Sequence, residues 1–270
     1  MGGIRPLVDH YGATYGEFSS QLYADVRREA FGEDIGQTGW LTSDEQDLLI
    51  SWLELEAGSR LLDVACGSGG PTLRVAFKTG CSVTGVDLHH EGVSAARDQA
   101  KAQGLEDRAS FMQGDASQRM QFEDASFDAL ICVDAINHLP DRERVLREWH
   151  RLLKPGGRLV FTDPITVTGP INDEEMRIRS SIGFFLFVPR GVNEALLEKA
   201  GFRVREVADR TDNMSRMARR WWEARESRAD DLRGVEGTET FEGQQIFFEV
   251  AARLAEERRL SRFAFASEVA

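Results

Sequence analysis

Arg60-Leu61-Leu62-Asp63-Val64-Ala65-Cys66-Gly67-Ser68-Gly69-Gly70 decides the fold of this 270-residue chain. The apolar run Leu61–Ala65, bounded by glycine, reads as a buried parallel strand. Gly67, Gly69 and Gly70 form a turn in which no Cβ keeps a ligand off the backbone. Pro71 is pre-set for the first position of a helix, Thr72–Lys78 supply that helix, and Gly80 closes it. Strand, glycine turn and helix together make a nucleotide-type site at the carboxyl edge of a doubly wound sheet.

Asp63 lies inside the strand end, and position 72, where a dinucleotide turn wants a third glycine, holds Thr. The hydride-transfer fingerprint is therefore incomplete. Residues 63–70, Asp-Val-Ala-Cys-Gly-Ser-Gly-Gly, resemble instead the first motif of class I S-adenosylmethionine (SAM) methyltransferases, acid-x-Gly/Ala-x-Gly-x-Gly. In that family the turn faces a carboxylate and a sulfonium. The resemblance implies SAM as cofactor, S-adenosylhomocysteine (SAH) as product, and Asp63, Ala65, Gly67 and Gly69 as cofactor contacts.

Further along, Cys81–Leu88 is a second strand ending in an acid. Asp87 falls roughly 20 residues past the glycine turn, where a carboxylate reaches ribose hydroxyls. A helix N-cap is its alternative role. Leu88 would lie against one face of adenine, while His89 and His90 read as solvated first-turn residues of a helix over Glu91–Gln103. A third strand ends at Gly114-Asp115-Ala116, which by resemblance contacts the adenine edge through Asp115 and the backbone of Ala116. Phe127–Val133 is a continuous apolar fourth strand, with Val133 a further cofactor contact by resemblance. The helix Arg142–Leu153, a Lys154–Gly157 turn and the strand Arg158–Asp163 follow. Gly191–Ala200 reads as a helix, and Phe202–Val207 and Arg262–Ala266 alternate as an antiparallel edge pair. The expected class is α/β: a doubly wound, mostly parallel seven-stranded, Rossmann-like sheet with an α-helical cap.

The domain plan is a helical lid over 1–59, a SAM-binding core over 60–163, a cap insertion over 164–190, core again over 191–211, a two-helix cap over 212–260 and a last strand over 261–270. In the lid, Tyr11, Tyr15, Phe18, Leu22 and Val26 form one helical stripe that either packs on the domain or covers the cofactor. Thr42 and Glu45 fit a capping box. Gln37 or Trp40 reaches the methionine end of SAM by resemblance. Phe184–Val188, Trp221-Trp222 and Phe247-Phe248 make the caps aromatic, so the acceptor cavity should be aromatic and largely apolar.

A formal net charge of −12 argues against nucleic acid as a partner. The arginines between 216 and 228 alternate with acids and read as a salt-laced helix face. No apolar run approaches the roughly 20 residues that cross a bilayer, and Pro6 replaces the Ser or Thr that an N-terminal acylation motif needs. Three scattered cysteines, Cys66, Cys81 and Cys132, read as reduced core residues of a cytoplasmic protein. A homodimer is an open possibility, and no metal-ligand pattern is visible.

Methyl transfer needs alignment, exclusion of water and, for a hydroxyl or ammonium acceptor, a base. His138 follows the fourth strand and Asp163 ends the neighbouring fifth, so the pair forms a candidate base and its orienting carboxylate. Some natural-product O-methyltransferases carry a similar arrangement with paired histidines; here Asn137 holds the first place. The expected function is methyl transfer to an oxygen or nitrogen of a small molecule. The alternatives are a SAM-fold protein that binds without transfer and a macromolecule methyltransferase.

Overall fold

The computed structural model describes residues 7–270; Met1–Pro6, with the acylation motif, lie outside the described residues. The lid stripe folds as two helices, α1 (His10–Gly16) and α2 (Gln21–Phe31), and not as one. Ser20 ends the continuity, because its hydroxyl accepts from the Tyr23 N–H and starts a new helix. Thr42 caps α3 (Ser43–Leu53) as expected, but Glu45 turns away to an arginine and completes no capping box.

The sheet core follows as β1 (Arg60–Val64), α4 (Gly70–Thr79), β2 (Ser82–Asp87), α5 (His90–Ala102), β3 (Ala109–Gln113), β4 (Phe127–Cys132), α6 (Arg142–Leu152) and β5 (Leu153–Val167). Residues 154–157, expected as a turn, are absorbed into β5, with a register shift against β4 between Phe127 and Ala129. Next come α7 (Asp173–Arg179), the two-residue β6 (Val188–Pro189), α8 (Val192–Lys199) and β7 (Phe202–Asp209). The second cap is three helices, α9 (Thr211–Glu226), α10 (Ala229–Glu236) and α11 (Thr238–Glu256), before β8 (Leu260–Val269). Gly237, at φ +82°, separates the last two helices where two in total were expected.

Strands run in the order β3-β2-β1-β4-β5-β8-β7, with β6 on the end of β5. The first five are parallel, and β8 pairs antiparallel with both β5 and β7. Alternate residues serve opposite faces: Leu62, Leu130 and Phe161 pack with Trp149 of α6 and Leu197 of α8. Leu61, Ala129 and Val160 pack with Leu49, Leu73 and Ala96 of α3, α4 and α5. Parallel pairing puts the carboxyl ends of β1 to β4 along one edge, the edge at which such sheets bind ligands. Above it, α2, α9 and α11 form a separate core around Trp221, Phe247 and Phe248.

Candidate active site

Ala65 and Gly67, immediately past β1, both adopt left-handed backbone, at φ +60° and +56°. Asp87 fixes that bend from the tip of β2: one carboxylate oxygen accepts the Gly67 N–H at 2.8 Å, the other the His89 N–H at 2.9 Å. The second oxygen also lies 3.2 Å from His89 Nδ1, while the oxygen that takes the Gly67 N–H keeps lone-pair capacity for another donor. The remaining glycines of the turn answer to protein packing. A Cβ on Gly70 would lie 2.1 Å from the Ile35 carbonyl, and one on Gly69 would lie 2.6 Å from the Ala96 Cβ.

The loop over residues 33–40 therefore lies directly on the glycine turn. Gln37 is buried, with its amide accepting from Ile35 N at 2.8 Å and donating to Glu33 O at 3.0 Å. Its polar atoms close their own loop. Trp40 is buried against Phe247 and Phe248 under the cap.

Asp63, buried at the end of β1, accepts a hydrogen bond from Thr72 Oγ1. Burial pushes its pKa up to about 7. Asp115 is exposed just past β3 and takes the Ser117 N–H at 2.9 Å, while Ala116 is buried. Leu88 is 60% exposed at the tip of β2, an apolar side chain on the binding edge with no protein cover. Val133 is half-buried where β4 ends.

Helix α1 bridges this edge to the loop after β4. Tyr15 packs over His89 with ring centroids 5.4 Å apart, and Tyr11 lies 5.2 Å from His89 and 5.6 Å from His138. His138 ends a 3-10 turn, Ile136–His138, that follows β4. Its Nδ1 is 3.0 Å from the Phe184 carbonyl, which only accepts, so Nδ1 carries the proton. Nε2 is then the acceptor for the Tyr11 hydroxyl at 2.8 Å. Burial holds the imidazole pKa down to about 4, so the ring is neutral near pH 7.

The expected His138–Asp163 pair does not form. Asp163 is fully buried and accepts from Arg142 at 2.6 Å and from Asn193 at 2.9 Å, which leaves α1 and the Phe184 carbonyl to orient the imidazole. Asn137 is fully buried, and neither polar atom of its amide has a hydrogen-bond partner. It lines a small cavity of about 40 Å³ with Tyr11, His138, Trp40, Phe185, Phe247 and Arg179.

Asp134, at φ +53° just past β4, is the hub of a network absent from the sequence reading. It accepts from the Trp40 N–H at 2.9 Å, from Thr162 Oγ1 at 2.8 Å and from Arg262 Nε at 2.6 Å. Arg262, fully buried on β8, also pairs with Glu45 at 2.5 Å. Sheet, lid loop and α3 are thus clamped beneath the cavity. No local signal connects positions 45, 134 and 262; only strand order brings them together.

Residues 62–161 match the family described as "Methyltransferase domain". Over 241 residues, 85% of either chain, the protein is 31% identical to 27-O-demethylrifamycin SV methyltransferase of Amycolatopsis mediterranei. The chain belongs to the class I S-adenosylmethionine-dependent methyltransferases.

This methyltransferase is also 39% identical to Methyltransferase GfsG of Streptomyces halstedii, over 58% of its own chain and 57% of that protein. Its fold is shared with the cyclopropane synthase MmaA2 of Mycobacterium tuberculosis, at a TM-score of 0.81 and 17% identity over 98% of this chain and 100% of that one. SAM is its cofactor. The residues present fit that molecule: Asp63, Asp87 and Asp115 stand on successive strand ends beside a left-handed glycine turn and the uncovered Leu88. Among the described residues, no helix is long and apolar enough to cross a membrane.

Proposed function

We propose that this methyltransferase acts on an oxygen or nitrogen of a small molecule, with His138 as the base that receives the acceptor's proton. One observation carries the reading: the Phe184 carbonyl holds the proton on Nδ1, so the basic lone pair of a neutral imidazole meets only the Tyr11 hydroxyl, beside the cavity that both residues line. When bound, SAM supplies an electrophilic methyl group on sulfur. Asp87 and the Gly67 backbone would hold the ribose side, Asp115, Ala116 and Leu88 the adenine, and the buried Asp63 carboxylate the ammonium of the amino-acid end. Ala65, Gly69 and Val133 would line the bed beneath.

The acceptor displaces the Tyr11 hydroxyl from Nε2, gives its proton to that nitrogen as the new bond forms, and is shielded from water by α1 and Phe185. The relative of Amycolatopsis, named for an O-demethylated acceptor, supports transfer to oxygen. Aromatic walls from Trp40, Phe185 and Phe247 support a partly apolar acceptor. Three buried free thiols suit a cytoplasmic setting. Incubation with methyl-labelled SAM and a metabolite extract tests the reading: label should enter the small-molecule fraction with wild type and not with His138→Ala. Label in nucleic acid or protein, or none anywhere, removes it.

A further inference from the structure

Among the described residues, every other buried arginine meets a carboxylate: Arg27 meets Asp34, Arg142 meets Asp163, Arg225 meets Glu236, and Arg262 meets Glu45 and Asp134. Arg179, 1% exposed at the end of α7, does not. Its guanidinium is packed 4.2 Å from the Phe247 ring, 5.6 Å from Phe185 and 5.9 Å from Trp40. Among the described residues it makes no ion pair and no side-chain hydrogen bond, and its Nη1 is buried without a partner. Residues 1–6 contain no acidic side chain.

Stacked aromatic faces offset part of the charge but accept none of the five N–H donors in the guanidinium plane. Burial, opposed only by Tyr11, draws its pKa down to about 9, the direction expected of a cation without a counter-ion. Asp134, which lines the same cavity, is already occupied by Arg262, Thr162 and the Trp40 N–H. Asn137, unpartnered and fully buried, opens onto that cavity too. An unpaired cation and an unpaired amide thus share a space with room for two or three water-sized groups. The acceptor-side base, His138, shares the Phe185 wall with them, its ring centroid 4.7 Å from that of Phe185.

We infer that Arg179, aided by the Asn137 amide, binds an anionic oxygen of the methyl acceptor, so that the substrate is an otherwise apolar molecule carrying a carboxylate or an acidic enol or phenol. The inference rests on the methyl-transfer reading for the word acceptor, and on the geometry alone for the anion. The carboxylate also sets orientation, because a planar fork accepts a planar anion in one plane.

Calorimetric titration of the SAH-loaded protein with benzoate, 4-nitrophenolate and neutral benzamide tests it. One or both anions should bind about tenfold tighter than benzamide, and whichever is preferred tells a carboxylate from an acidic hydroxyl. Arg179→Met should erase the preference with SAH affinity unchanged, and Arg179→Lys should keep part of it. Equal affinity for all three probes in wild type, no binding of any at millimolar concentration, or a preference that survives Arg179→Met overturns the assignment. The wild-type comparison stands even if the Met variant fails to fold. The labelled-SAM incubation separates the two readings: anion preference with no label entering small molecules removes the methyl-transfer reading and leaves the anion site.

Discussion

The Tyr11 hydroxyl donates to Nε2 of His138 across 2.8 Å, joining the lid helix to the loop after β4. In this closed arrangement the basic lone pair is covered by a residue 127 positions away in the chain. His138→Ala should lower turnover at saturating SAM by about 10²- to 10⁴-fold and leave SAH affinity within about threefold. Tyr11→Phe removes only the cover, so its loss should be much smaller; equal losses would put Tyr11 itself on the proton's path. Unchanged turnover in His138→Ala would sink the base assignment.

Asp87 shapes the glycine turn, and in the proposed reading it also holds the ribose. Asp87→Ala should weaken SAH binding by about two orders of magnitude, the worth of two charge-assisted hydrogen bonds. A calorimetric loss under about threefold would count against that role.

Arg262 carries two buried carboxylates, Glu45 and Asp134. Arg262→Met leaves both without a cation, and urea unfolding should report a loss of about 3–5 kcal/mol. Arg262→Met combined with Glu45→Gln and Asp134→Asn should recover much of it, since no charge is then stranded. Failure of that recovery would mean the arginine's packing, and not its charge, matters.

Three desolvated groups, His10, His138 and Asp63, set opposing pH dependences. His10, buried against Gln244, and His138 are both held down to about 4 by burial, from 6.5. Their contribution to stability is present above pH 6.5 and is lost as pH falls towards 4, because the unfolded chain takes up the protons first. Between pH 7 and 5, His10 alone accounts for a loss of about 2 kcal/mol. Asp63, raised by burial from 3.8 to about 7, works the other way: its contribution is present below pH 3.8 and is lost as pH rises through 7. Asp63→Asn removes that opposing contribution, so the fall in unfolding free energy from pH 7 to 5 should steepen by about 2 kcal/mol. An unchanged pH slope in Asp63→Asn would mean that its carboxyl group titrates normally.

The sheet was legible because its determinants are local. Leu61–Val64, Ser82–Asp87 and Phe127–Cys132 are short apolar runs that each end where the chain turns, and period and punctuation survive in a linear string. The acids at 63, 87 and 115 were legible for the same reason, since each ends or follows a strand. The helical break at Ser20 and the extra cap helix before Thr238 were not, because a single serine or glycine inside an amphipathic pattern is compatible with continuation or arrest.

By itself, the sequence determined that parallel strands would align several acids and a glycine turn along one edge, because the strand–helix alternation and the side-chain period follow from the spacing of apolar runs. Only the tertiary structure decided which charges meet. Asp163 went to Arg142 and not to His138, Arg262 found Glu45 across 217 positions, and Arg179 was left in an aromatic cage with no counter-ion among the described residues. Pairing between buried charges is set by distance in a dry interior, where an ångström outweighs any separation along the chain.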